Sequence, residues 1–166
     1  MTRPNLIALM VAASLAMATV AGADTIGGRM EVTATVVANC RLVVPPLSFG
    51  TYDPLDGHAV QPADASTVIS VTCTRSTGAA VSFDFGLNSS SGPDRAMNGA
   101  GADHLRYQIY RDAARSLVWS RGADAVQFTS RGISSAEQLT VFGRIPPNQE
   151  VAPGAYSDLL TATVDF

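Results

Sequence analysis

Lysine is missing from this sequence: the eleven basic residues are all arginines, placed singly along the chain. With a formal net charge of -3 and no cluster of positive charge, the chain has nothing that would track a phosphate backbone, and no nucleic-acid partner is expected. Histidine is nearly as scarce. His58 and His104 stand alone, and the two thiols, Cys40 and Cys73, are too far apart for C-x-x-C redox chemistry, so neither a zinc set nor a redox motif can be assembled. No G-x-S-x-G, P-loop or H-E-x-x-H occurs, and Asp53, Asp56, Asp84 and Asp112 are accounted for by turns or exposed strand faces. The expectation is a protein that is not an enzyme, with no catalytic residues, no metal and no cofactor. Also lacking, from Cys40 onward, is almost any window that sustains a helical period, which argues against a helical fold.

What is present is 166 residues, 46% hydrophobic and 15% charged, enough for one globular domain with a real core. Residues 1–23 read as a removable targeting segment, with Arg3 at the positive end, an Ala-rich apolar run from Leu6 to Val20 and a small-residue site at Ala21-Gly22-Ala23. The run approaches membrane-spanning length. Its position at the very start, its alanine content and its lack of a basic stop-transfer flank favour a cleaved signal over an anchor. The mature chain then starts at Asp24 and is exported to an oxidising compartment, where a pair of cysteines is read as a structural disulfide, Cys40 to Cys73.

Between the leader and Cys40 lies a segment, residues 24–38, in which Ile26, Met30, Val32, Ala34 and Val36 share one parity while Arg29, Glu31, Thr33 and Thr35 take the other. This predicts a strand over Ile26 to Val37 with one apolar face. Such a strand can complete its own sheet or be lent to another molecule. Residues 39–166 form the expected body. Extended runs are read at Arg41–Val44, Leu47–Phe49, Thr67–Thr74, Ala79–Leu87, Leu105–Tyr110, Leu117–Trp119, Ala125–Thr129 and Leu139–Ile145, separated by Gly, Pro, Asn, Asp and Ser. Phe83 and Phe85 are core candidates. Leu55–Ala65 and Asn88–Asp103 read as loops, with Ala96-Met97 the only part of the second able to pack inward and room there for one short paired segment. A closing strand, Tyr156 to Phe166, places Tyr156, Leu160, Ala162, Val164 and Phe166 on one face. The fold class is all-β, an immunoglobulin-like sandwich. Trp119 lies after Cys73 rather than between the cysteines, which argues against an antibody-type domain.

Four stretches in order carry a more specific signal: F-G-T-Y-D-P at Phe49–Pro54, Y-Q-I-Y-R-D-A-A-R at Tyr107–Arg115, V-F-G-R-I-P-P-N at Val141–Asn148 and G-A-Y-S-D-L-L-T-A-T-V-D-F at Gly154–Phe166. Together with the cysteine placement they resemble the spore coat U family, whose members include subunits of archaic, Csu-type chaperone-usher pili. The resemblance covers essentially the whole mature chain. It implies an incomplete pilin-type sandwich that lacks its final strand and is completed by a donor strand. A periplasmic chaperone would first fill the groove; at an outer-membrane usher, the N-terminal strand of a neighbouring subunit would replace it. On this reading the donor strand carries Ile26, Met30, Val32, Ala34 and Val36. Tyr156, Leu160, Ala162, Val164 and Phe166 border the groove and meet the chaperone. The product is a surface fibre supporting attachment and biofilm formation. Two readings stay open: a secreted coat protein whose N-terminal strand completes its own sandwich, and a single-domain module binding carbohydrate or another surface. A two-domain tip adhesin does not fit into one domain.

Overall fold

A computed structural model of the chain describes residues 22–89, 92–99 and 101–166; all but the last two residues of the expected leader lie outside the described residues. The chain divides into two units at Thr35 and Val36. In the first, the described residues form no strand or helix, Ile26 is 98% exposed, and Met30, Val32 and Ala34 are exposed as well. Val36 and Val37, which open the second unit, are exposed too. The strand expected over Ile26–Val37 is therefore not formed. Alternation supplies a strand with a face but not with a ladder, and a lone extended segment has no partner for its backbone donors and acceptors except water.

The described residues of the second unit form eight strands in two antiparallel sheets. One sheet has the order β1-β2-β7-β5-β4, from Cys40–Val43 (β1), Ala63–Cys73 (β2), Glu137–Ile145 (β7), His104–Tyr110 (β5) and Arg95–Asn98 (β4). The other has the order β6-β3-β8, from Val126–Thr129 (β6), Gly78–Phe83 (β3) and Ala162–Asp165 (β8). The core lies between them. Period-two alternation turns Ile69, Val71 and Cys73 of β2, Leu105, Tyr107 and Ile109 of β5, Val141 and Ile145 of β7 and Val81 and Phe83 of β3 inward, and all are buried. Trp119 joins the layers: its indole N–H donates to the Val81 carbonyl at 2.9 Å, its amide to the Ile109 carbonyl at 3.0 Å, and its ring meets Phe83 edge-on at 5.1 Å.

Cys40 and Cys73 are disulfide-bonded and face each other in the β1–β2 register. With 33 residues of separation, the bond contributes about 3 to 4 kcal/mol in the chain-entropy picture. Several element boundaries differ from the sequence reading. Leu47–Phe49 forms no strand; Leu47 and Phe49 instead pack where Gly143 of β7 leaves room, since a Cβ there would lie 2.7 Å from the Phe49 ring and 2.8 Å from the Leu47 side chain. The loop expected to Ala65 stops earlier, because Ala63 already pairs with Ile145. The run beginning at Ala79 ends at Phe83 rather than Leu87: Gly86 takes a left-handed φ of 86°, which breaks the pleat. Phe85 is half-buried beneath the Arg95 guanidinium, 5.3 Å from its ring, and not in the core. Leu117–Trp119, read from the sequence as answering Leu105–Tyr110 in a hairpin with a long connection, does pair with it antiparallel, through the Tyr110–Val118 bridge and the Arg111–Leu117 and Trp119–Ile109 backbone bonds, without forming a full strand. The long polar loop does hold one short paired segment, β4, but Arg95 within it is 1% exposed, contrary to the expectation that only Ala96-Met97 pack inward.

Candidate functional site: an open cleft beside the closing strand

β1 and β8 are both end strands, β1 pairing only with β2 and β8 only with β3. The chain next to those two strands lines a cleft. Val44 to Leu47, following β1, forms one wall and Tyr156 to Leu160, preceding β8, the other, with Ile69, Phe83, Tyr107, Ile109 and Val141 beneath. This part holds about 570 Å³. A second lobe of about 840 Å³ runs on between Leu47–Leu55 and Val151–Tyr156, and the two share Leu47, Phe49, Met97 and Tyr156. The result is an elongated, largely apolar trough.

Only part of the closing run is regular strand, β8, although its alternation extends further. Tyr156, Leu160, Ala162 and Val164 are half-buried and packed against the core, whereas Phe166 is 58% exposed. Before β8 the backbone leaves the regular ladder and is held from outside the cleft by single bonds. The Asp84 amide donates to the Thr161 carbonyl at 3.1 Å and the Leu87 amide to the Leu159 carbonyl at 3.2 Å, while Asn98 and Ser157 exchange two bonds of 2.9 and 3.0 Å. The last of these ties the closing run to β4 of the other sheet.

Polar side chains reinforce this wall. Asp158, on the inward parity, accepts the Tyr107 hydroxyl at 2.7 Å, the Asn88 side-chain amide at 2.9 Å and the Asn88 backbone N–H at 3.2 Å. Burial, with the hydrogen bond to Asp158 behind it, pushes the Tyr107 hydroxyl well above its ordinary value, so it stays protonated and donates. Asp84 accepts the Thr161 N–H at 2.8 Å and the Gly86 N–H at 3.1 Å. Burial pushes its carboxyl up, but these donors outweigh that and hold it below the usual value. Arg95 donates to the Asp84 carbonyl at 3.1 and 2.6 Å, to the Trp119 carbonyl at 2.8 Å and to the Gln108 side chain. Burial pulls its guanidinium down to about 10, and it remains charged at neutral pH.

Of the residues singled out from the sequence, the structure gathers Tyr156, Leu160, Ala162 and Val164 along one run, bonds Cys40 to Cys73, and leaves Ile26, Met30, Val32, Ala34 and Val36 exposed. Asp84, read as a turn or exposed strand-face residue, is instead half-buried and binds the closing run, and Arg95, Asn88 and Asp158 were not foreseen. Asp158 did leave a signal, a carboxylate on the apolar parity of the closing run; Arg95 left none in its polar surroundings. Among the described residues no group of three or more His, Cys, Asp or Glu is placed to hold a metal ion.

A two-sheet antiparallel sandwich with an open cleft at the edge of its closing strand is a pilin-type architecture, and the solved structures agree. A chain from the CsuC–CsuE chaperone–tip adhesion subunit pre-assembly complex of the archaic Csu pili of Acinetobacter baumannii superimposes with a TM-score of 0.58 at 22% identity, over 80% of this chain and 40% of that one. This chain thus spans well under half of that longer protein. The chain belongs to the Spore Coat Protein U domain family, whose profile matches residues 27–163. It is also similar to Protein U of Myxococcus xanthus, 31% identical over 172 aligned positions that cover 96% of this chain and 95% of that protein.

Proposed function

We propose that this chain is a structural subunit of a chaperone-usher type surface fibre, and that the occupant of its cleft is the N-terminal segment, residues 24–38, of another copy. The open, largely apolar cleft between Val44–Leu47 and Tyr156–Leu160, running up to the singly paired β8, carries this reading. A β-strand fits such a space because it offers backbone donors and acceptors to the β8 edge and side chains on alternate positions to the trough. The N-terminal segment has the right form: Ile26 to Val36 and Tyr156 to Phe166 are each eleven residues, a span of about 35 Å when extended. Seating Ile26, Met30, Val32, Ala34 and Val36 would gain on the order of 10 kcal/mol gross, against an ordering cost of comparable size. Backbone pairing and relief of an exposed apolar trough tip the balance toward slow dissociation.

On this reading residues 1–23 are an export signal, residues 39–166 the sandwich, and a periplasmic chaperone and an outer-membrane usher handle the subunit before it joins a fibre that supports attachment and biofilm formation. No catalytic chemistry is assigned to it. The test is the size of the purified chain from Asp24 onward. Ladders that resist SDS and collapse on heating, lost in Val32→Asp, are expected; a stable monomer whose cleft is filled by its own N-terminal segment would replace this reading with self-completion.

A further inference from the structure

The Tyr156–Thr161 wall of the cleft has backbone partners on one side only, at Asp84, Leu87 and Asn98, and the Asp84–Thr161 pair continues the β3–β8 register. We infer that Tyr107 and Asp158, backed by Asn88, Asp84 and Arg95, are positioning residues that hold the Tyr156–Thr161 wall open before the donor strand arrives. This rests on the donor-strand reading and adds to it what prepares the acceptor.

The Tyr107 hydroxyl rises from the cleft floor, on β5, and grips Asp158 from inside, while Asn88 grips the same carboxylate from outside. One residue of the wall is thus anchored to both sides. Gly86 makes room for the carboxylate: a Cβ there would stand 2.0 Å from an Asp158 oxygen. Further along, Asp84 brackets Thr161 through both its side chain and its backbone N–H, and buried Arg95 fixes Asp84 by its carbonyl. These bonds join the wall to β5, β4 and the β3–β4 connection, and none of them uses the edge that a donor strand would occupy. A network that served only core stability would not need to converge on the segment that walls the cleft. Holding that segment in its bound form removes an ordering cost from association, because the wall need not search for its conformation when the strand arrives.

The experiment uses the full chain from Asp24 with Val32→Asp to silence its own donor segment, and a synthetic peptide of residues 24–38 as the probe. Tyr107→Phe removes one hydroxyl and keeps the ring; Asp158→Asn provides a second variant with the shape preserved. Both should slow peptide association about tenfold, the factor for one net hydrogen bond lost from the prepared state. Dissociation should change by less than about twofold, because a seated strand then holds the wall itself. Without added peptide, the Ser157 and Thr161 amides should exchange faster in Tyr107→Phe while those of β2 do not. Unchanged association, or association and dissociation altered together with general loss of protection, overturns the positioning role. If the parent chain binds no peptide, the donor-strand reading itself fails; unchanged wall exchange in Tyr107→Phe refutes the pinning whatever the peptide does.

Discussion

Two segments of this chain are written alike and behave oppositely. Ile26–Val36 and Tyr156–Phe166 both alternate apolar and polar residues over eleven positions. The first has no paired backbone and exposes its apolar side chains; in the second, four inward residues meet the core and a neighbouring strand pairs along one edge. Alternation specifies which face a strand will bury but not whether a partner is there, so the same pattern is latent in one place and realised in another. In the proposed fibre the two would meet, the latent strand of one subunit beside the realised strand of the next.

The sharpest way to break this comparison is to place the same charge in each segment. Val164→Asp buries a carboxylate against the core beside Val81 and should cost the isolated chain about 2 to 4 kcal/mol, read as a large fall in thermal midpoint. Val32→Asp should leave the thermal midpoint of the monomer unchanged and abolish SDS-resistant ladders. If Val32→Asp destabilises the monomer as much as Val164→Asp, the first segment is not latent in solution and the contrast collapses.

The next effect comes from the junction at Cys40, where the unpaired segment gives way to the paired body. Cys40→Ser should lower stability by about 3 kcal/mol, measured by denaturant unfolding, and reductant should have no further effect on the variant. Because the bond ties β1 to β2 at the first register pair, its loss should release β1 before the rest of the sheet, seen as early amide exchange at Arg41, which faces Thr72 in the ladder.

Acid should act on the closing segment through Asp84 and on the β2–β7 pair through Asp64. Asp84 and Asp64 are both held below the ordinary value of 3.8, Asp84 by N–H donors that outweigh its burial, Asp64 chiefly by its hydrogen bonds from Arg144 and then by the Arg115 and Arg144 charges against a burial penalty. A carboxyl whose folded value is depressed stabilises the fold at pH above 3.8, and that contribution is lost as pH falls through 3.8 toward the lower folded value. Unfolding midpoints should therefore decline below about pH 4. Asp84→Asn should flatten that decline, with local opening at Thr161 reporting it. A decline of the same slope in Asp84→Asn would remove Asp84 from the account.

How much of this was legible depends on whether a feature follows from local pattern or from distant contact. The all-β class, the disulfide pair and the inward parity of Tyr156, Leu160, Ala162 and Val164 are local or compositional, and they could be read directly from spacing and turn residues. Where Leu47–Phe49 would settle was not readable, because it depends on the missing side chain of Gly143, a residue more than ninety positions away. Arg95 was hidden for the same reason: its burial is made possible by carbonyls of Asp84 and Trp119 and the side chain of Gln108, which only the fold brings together. Polar loops conceal such residues because a buried charge needs partners that no sequence window contains.

Phe166 gives the smallest and most discriminating effect. By parity it belongs with Val164, but it is 58% exposed, so the two segments are not fully opposite: the realised strand ends in an apolar side chain that is still latent. Phe166→Ala should change monomer stability by no more than about 0.5 kcal/mol, as for most exposed positions. If a donor strand lies along β8 in the fibre, that ring is covered on assembly, and its loss should then lower the temperature at which SDS-resistant ladders collapse, by about 1 to 2 kcal/mol per junction for a ring partly buried. Equal heat resistance of mutant and parent ladders would place the donor short of the β8 terminus, confining the pairing to the Tyr156–Val164 part of the run.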